Sequence, residues 1–313
     1  MNHLESSFAG KNSFWRYLIM LLAILAASNT IGSIPLFIGI IKHPEAAVAL
    51  AENPNDLTPL GFDPIVAVLV MLLPFIAGLA AFVFLLKPLN YKSLIKVING
   101  TDSFRWNRLF ISAAIWTIIC AIYLYINIRH DPSNFSLNYN VGTFIPLIII
   151  SVLLVPFQAA LEEIIFRGYL MQGFALLIRN RFFPLVMTSV LFGLMHAFNP
   201  EVKEFGFLTM MPQYVLFGLM FGIITILDDG IEAAIGAHAA NNVFLCIMLT
   251  NKSSALQTPA LYVQHNVYPW TDFTQILGFG ILLILIMKFL FGWRSFFTLF
   301  ENIERKPVAD QMP

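Results

Sequence analysis

The stretch Leu161-Glu162-Glu163-Ile164-Ile165-Phe166-Arg167-Gly168 sets two adjacent carboxylates and a guanidinium in a run that is otherwise almost wholly apolar. An ionised carboxylate in hydrocarbon is costly, so it persists where it is paired, wet or functional. Glu163 and Arg167 stand four residues apart with the acid first, the favoured order for an ion pair along one helix face. Arg167 can thus neutralise one carboxylate and leave the other free for general acid–base work. Two histidines, His196 and His238, sit in later apolar segments. Phe192 and His196 are one helical turn apart, so an aromatic ring can shield that imidazole. His238 and Asn242 share a helix face in the same way. A water-activating site built inside a membrane needs this kind of set.

The elements that must position these residues are membrane helices. The chain has 313 residues, 58% hydrophobic and only 12% charged, with mean hydropathy +0.77, whereas soluble domains carry about 25% charged residues. The expectation is an all-α, polytopic helical bundle forming a single integral membrane domain over residues 1–313. About eight segments are long enough to span a bilayer at about 20 residues each. They lie near 17–41, 64–86, 109–127, 147–178, 183–198, 207–227, 231–250 and 273–293. Segment 147–178 is too long for one simple span and contains Pro156, Gly168 and Gly173, which predicts a kink or break. The N-terminus imitates a signal peptide, but its apolar run continues to Ile41, too long for a signal core, and reads as a retained span. Net charge is zero, which leaves no bulk charge to recruit nucleic acid. Cys120 and Cys246 lie in apolar segments and read as small buried hydrophobes, with no zinc-ribbon spacing.

Basic residues orient the bundle. With the N-terminus in the cytoplasm, 14 of the 18 Lys and Arg fall on the inner side and only Lys42, Arg129, Lys203 and Lys252 on the outer. Both termini are therefore expected inside, in a bacterial cytoplasmic membrane. Helix rise then gives depth: Glu162 lies roughly 25 Å along the helix from Arg179, and His196 roughly 22 Å up from Arg181. His238 and Asn242 lie roughly 14 and 20 Å from the turn at Asp229. All four residues can share one layer.

These residues resemble the CAAX-protease and bacteriocin-processing family of intramembrane peptidases, the Abi family. The family pattern is Glu-Glu-x-x-x-Arg, then Phe-x-x-x-His, then His-x-x-x-Asn or Asp. The chain reads EEIIFRG at 162–168, FGLMH at 192–196 and HAANN at 238–242, in that order. The resemblance covers a core of roughly 140–250. It implies an intramembrane endopeptidase that cleaves a membrane-associated peptide or protein, lipidated or not, by activated-water attack. It implies that Glu162, with His196, activates a water, that His238 and Asn242 stabilise the oxyanion, and that Glu163 and Arg167 support the geometry. Relatives have been described both as metal-dependent and as metal-free. Glu162, His196 and His238 could together hold one Zn²⁺ with an open position, but no His-Glu-x-x-His helix is present, which favours the metal-free form. Asn241 stands beside Asn242, and the spacing selects Asn242.

Two other function classes use the same residue types. A transporter would use midplane Glu, His and Asn to carry protons or ions, but no inverted repeat is visible. A non-catalytic scaffold or immunity protein would show eroded motifs, and these are intact. Asp228, Asp229 and Glu232 read as a solvated turn and helix start. Trp15, Trp270 and Trp293 read as interfacial anchors. His3, His43, His130 and His265 read as loop residues without assigned chemistry. Substrate identity has no signature in the sequence.

Overall fold

The computed structural model describes residues 2–53 and 55–304. Arg305 and Lys306, two of the basic residues used for orientation, and most of the C-terminal tail lie outside the described residues. Among the described residues thirteen α-helices run in chain order: α1 Phe14–Ala27, α2 Ile34–Lys42, α3 Ala47–Glu52, α4 Pro64–Asn90, α5 Leu94–Ile98, α6 Trp106–His130, α7 Val141–Glu163, α8 Met171–Leu177, α9 Phe182–Met195, α10 Pro200–Phe205, α11 Phe207–Asp228, α12 Glu232–Met248 and α13 Pro269–Phe291. The starts follow local chemistry. Asp63 caps α4 by accepting from the Ile65 N–H at 2.9 Å, with Pro64 at the first helical position. Asn140 caps α7 through the Gly142 N–H at 2.9 Å.

Among the described residues six helices are long and apolar enough to cross a membrane, or seven if the pair 34–42 and 44–52, bent by 102°, is one broken span. The expectation of about eight is not confirmed, because two of the segments form helices shorter than membrane length. Segment 183–198 forms α9, only 14 residues, because the helix ends at Met195 and the chain turns at His196. Segment 231–250 forms α12, 17 residues, whose first nine residues are all buried. It is an interior helix packed against α6 and α7. Gly236 allows this approach, since a Cβ there would run into the Leu109 carbonyl and the Ser112 hydroxyl of α6.

Segment 147–178 does not break. Residues 141–177 form one continuous helical run in which Ile164–Leu170 is a π-helix between α7 and α8. Pro156 sits inside α7 without interrupting it. The wider π turns carry Arg167 and Gly168, and a Cβ on Gly168 would lie 2.7 Å from Val97 Cγ1. The π-helix thus passes tightly against α5, and such insertions recur at functional sites.

A small sheet accompanies the helices. β1 Phe135–Leu137 pairs antiparallel with β3 Tyr262–Gln264, in register Phe135↔Gln264, and β2 Leu249–Thr250 pairs parallel with β3. It lies at the end of the bundle away from the N-terminal segment. That segment meets the α8–α9 turn instead: Arg181 pairs with Glu5 at 2.5 Å, and the Ile303 N–H donates to the Arg179 carbonyl at 2.9 Å. Residues near both ends of the chain therefore share one face of the bundle.

Candidate functional site

Glu162 and Glu163 close α7 and enter the π-helix, both almost fully buried. Consecutive positions point about 100° apart around a helix, so the two carboxylates face different neighbours. Glu163 Oε1 accepts from Arg167 Nη1 at 3.0 Å and lies 2.7 Å from His238 Nδ1. Arg167 is completely buried. It donates a second bond to the Gly218 carbonyl at 3.1 Å and lies over the Phe192 ring at 4.3 Å. Glu163 is thus the joint of an Arg167–Glu163–His238 chain. With Nδ1–H donating to Glu163, His238 turns Nε2 toward Glu162, whose Oε2 is 3.7 Å away. Phe221 stacks on the imidazole at 4.8 Å and 16° and fixes its plane.

Glu162 faces a cavity of about 680 Å³. Its other carboxylate oxygen accepts from Gln158 Nε2, one turn earlier on α7, and Gln158 Oε1 accepts from Asn242 Nδ2 at 2.9 Å. Asn241 donates to Asn242 Oδ1 at 3.0 Å and accepts from the Trp116 indole at 3.2 Å. Asn242 is therefore the asparagine coupled to the acid, and Asn241 is its tether to α6. Gln158 is the link that sequence reasoning missed, although its place four residues before Glu162 on the same helix was a usable signal.

The structure joins Glu162, Glu163, Arg167, His238 and Asn242 through these contacts and sets His196 apart. His196 follows the last residue of α9, and its Nδ1 lies 2.7 Å from the Phe192 carbonyl. Its ring stacks on Tyr214 at 4.4 Å and 16° and packs on Phe192 at 4.7 Å. Phe192 shields it as expected. His196 lines the same cavity as Glu162, but no hydrogen bond joins the two; the imidazole next to Glu162 belongs to His238. Among the described residues no group of three His, Cys, Asp or Glu side chains could hold a metal ion. The Glu162, His196 and His238 ligand set is not assembled.

Three ordinary readings also change. Asp228 and Glu232 are buried, not solvated. Arg105 pairs with Asp228 at 3.1 Å and Glu232 at 2.6 Å, Arg108 with Asp228 at 3.4 Å, and the Trp293 indole donates to Asp228 at 2.7 Å. Trp293 is therefore a buried strut, while Trp15 and Trp270 stay exposed. Asp229 takes a left-handed conformation, φ 57°, and accepts the Asn2 and His3 backbone N–H groups at 2.8–3.0 Å. This brings His3 under the π-helix. The imidazole is buried and lies 2.9 Å from the Arg167 carbonyl through Nε2, which donates there. Burial lowers the His3 pKa, opposed by that carbonyl and by Asp229 and Glu232. The N-terminal segment thus braces the helix that carries the acid pair. Cys120 and Cys246 are buried and free, as expected.

Residues 141–244 match the family of type II CAAX prenyl endopeptidase Rce1-like proteins, a span that contains all of the motif residues. Uncharacterized protein YyaK of Bacillus subtilis (strain 168) is 29% identical over 283 residues, covering 88% of this chain and 92% of that protein. No solved structure matches the chain.

Proposed function

From the Rce1-like CAAX-protease domain that the chain contains, we propose that this integral membrane protein is an endopeptidase that hydrolyses a membrane-associated peptide or protein. The observation that carries the reading is the meeting of Glu162 and His238, 3.7 Å apart, at the wall of a mostly apolar cavity among the helices. Glu162 takes a proton from a water whose oxygen attacks the scissile carbonyl carbon. The Asn242 amide is a donor to the oxyanion that forms, and His238 Nε2 joins it only when the ring carries a second proton, since Nδ1–H is already committed to Glu163. Collapse of that intermediate breaks the C–N bond, and Glu162 returns the proton to the leaving nitrogen. Glu163 and Arg167 stay outside the reacting atoms and orient His238, as the third member of a catalytic triad orients its base. His196, stacked on Tyr214, forms the neighbouring cavity wall, where it contacts the bound chain.

Comparative N-terminomics of cells carrying wild type or Glu162→Gln tests this. New N-termini that appear with the wild type and vanish with the variant, at equal membrane levels of the two proteins, support the reading. Identical profiles with a folded wild type would remove it.

A further inference from the structure

A line of hydrogen bonds crosses three helices and ends on the acid. Trp116 of α6 is buried, and its indole N–H donates to Asn241 Oδ1 at 3.2 Å. Asn241 Nδ2 donates to Asn242 Oδ1 at 3.0 Å, and Asn242 Nδ2 to Gln158 Oε1 at 2.9 Å. Gln158 Nε2 then donates to Glu162 Oε1. All five side chains border the same cavity. The packing of α6 on α12 makes the first step possible. Gly236 lets the two backbones approach at Leu109 and Ser112, and about one turn farther along each helix Trp116 meets Asn241.

A side-chain amide can present its oxygen or its nitrogen to a neighbour, and its shape does not choose between them. The two ends of this line do. An indole N–H only donates, and an ionised carboxylate only accepts. Donation from Trp116 claims the Asn241 oxygen, so Asn241 gives an N–H to Asn242. The Asn242 oxygen is then taken, its nitrogen turns to Gln158, and Gln158 presents nitrogen to Glu162. Acceptance at Glu162 demands the same order read backwards. Reversing any one amide would set two oxygens or two N–H groups face to face. The order matters to the reaction, because Asn242 Nδ2 carries two hydrogens. One bonds Gln158, and the second is left for the oxyanion. A reversed Asn242 would offer its oxygen to that negative charge.

We propose that Trp116, Asn241 and Gln158 are positioning residues: a one-way relay from indole to carboxylate that holds the Asn242 amide nitrogen-first and Glu162 in register with it. The inference adds residues to the active site proposed above and so rests on that reading. Asn241, which the motif spacing passes over, transmits the direction. Trp116 supplies it from α6, a helix that carries none of the motif residues. Bonds in such a line polarise one another, so a change at one end is felt at the other.

The first test needs no turnover. Full-length protein labelled with ¹⁵N-tryptophan, in detergent micelles, gives indole cross-peaks, and the one missing from Trp116→Phe belongs to Trp116. Glu162→Gln keeps the shape of the acceptor and removes its charge. The Trp116 indole proton should then move upfield, because weakening the last bond weakens those before it. In a Gln158→Met background the same change should leave the peak in place, since the line is already cut. Asn242→Leu cuts it one step earlier and serves if Gln158→Met does not fold. A peak that ignores Glu162→Gln, or that moves equally with the line intact and cut, overturns the relay.

The second test reads cleavage of a quenched-fluorescent peptide spanning the strongest wild-type-dependent cut found by N-terminomics. Trp116→Phe and Gln158→Met should each lower kcat by on the order of tenfold with KM little changed. The double variant should fall no further than the worse single, because coupled residues do not add. Losses that multiply, or a change confined to KM, overturn the relay and leave the peptidase reading standing. If the peak couples as described but the wild type cleaves nothing in cells, the peptidase reading fails and the relay stands.

Discussion

Glu163→Gln separates the two roles of the acid pair. Glu163 Oε1 serves two partners, Arg167 at 3.0 Å and His238 at 2.7 Å, and both Glu163 and Arg167 are fully buried. The amide is isosteric but uncharged. It leaves the Arg167 guanidinium with neutral acceptors only, the amide oxygen and the Gly218 carbonyl, and with aromatic faces, but without the charge that paired it. Breaking a buried pair by removing one partner costs about 3–5 kcal/mol. At roughly 2–4 °C per kcal/mol for a large domain, the melting temperature should fall on the order of 10 °C. Glu162→Gln removes no buried cation's partner, so its loss should stay near about 1 kcal/mol, the scale of a single hydrogen bond. The two buried free cysteines, Cys120 and Cys246, make a thiol-reactive dye a direct reporter of unfolding in detergent. The expected order is wild type, then Glu162→Gln close behind, then Glu163→Gln well below. Adding Arg167→Met to Glu163→Gln should recover most of the lost stability, because it removes the stranded charge, yet leave the protein inactive. If Glu163→Gln melts within about 2 °C of wild type, the Arg167–Glu163–His238 chain does not carry the energy assigned to it.

Asn242→Ala should lower turnover by about 10²–10³ with little change in substrate affinity, the effect of losing one oxyanion donor; a pure affinity effect would instead make Asn242 a substrate-binding residue. Exhaustive treatment with a strong chelator should leave cleavage intact, and stoichiometric zinc whose removal abolishes activity and whose return restores it would overturn the metal-free mechanism. For His3, burial lowers the folded pKa below the unfolded value of about 6.5, so the unfolded chain binds the proton first. Stability from this residue is complete above about pH 6.5 and falls as pH drops below it; His3→Gln should flatten that part of the stability–pH curve, and an unchanged slope would assign the acid sensitivity elsewhere. Reporter fusions after Lys306 and within the loop near Lys252 should localise to opposite sides of the membrane, with the tail cytoplasmic; matching signals would refute the topology.

Much of the candidate site was legible in the sequence. Apolar runs, the cost of charge in hydrocarbon and the order EEIIFRG, FGLMH, HAANN identified the membrane bundle and the residues Glu162, Glu163, Arg167, His238 and Asn242. These are local properties: periodicity along one helix, and spacing of four between Glu163 and Arg167 or His238 and Asn242. The same local reading gave about eight spans where six or seven helices reach membrane length, because hydropathy alone does not distinguish a buried interior helix such as α12 from one that faces lipid. It also placed Asp228 and Glu232 in solvent, since turn acids look alike whether water or Arg105 satisfies them. Which imidazole stands next to Glu162 was settled by the packing of α12 against α7, a contact between positions 75 residues or more apart. The Gln158 bridge, the stacking of His196 on Tyr214 and the brace from His3 depend likewise on helix rotation and on long-range pairing. Side-chain types reveal which groups can react or pair, whereas partners across helices are selected by packing that no single segment contains.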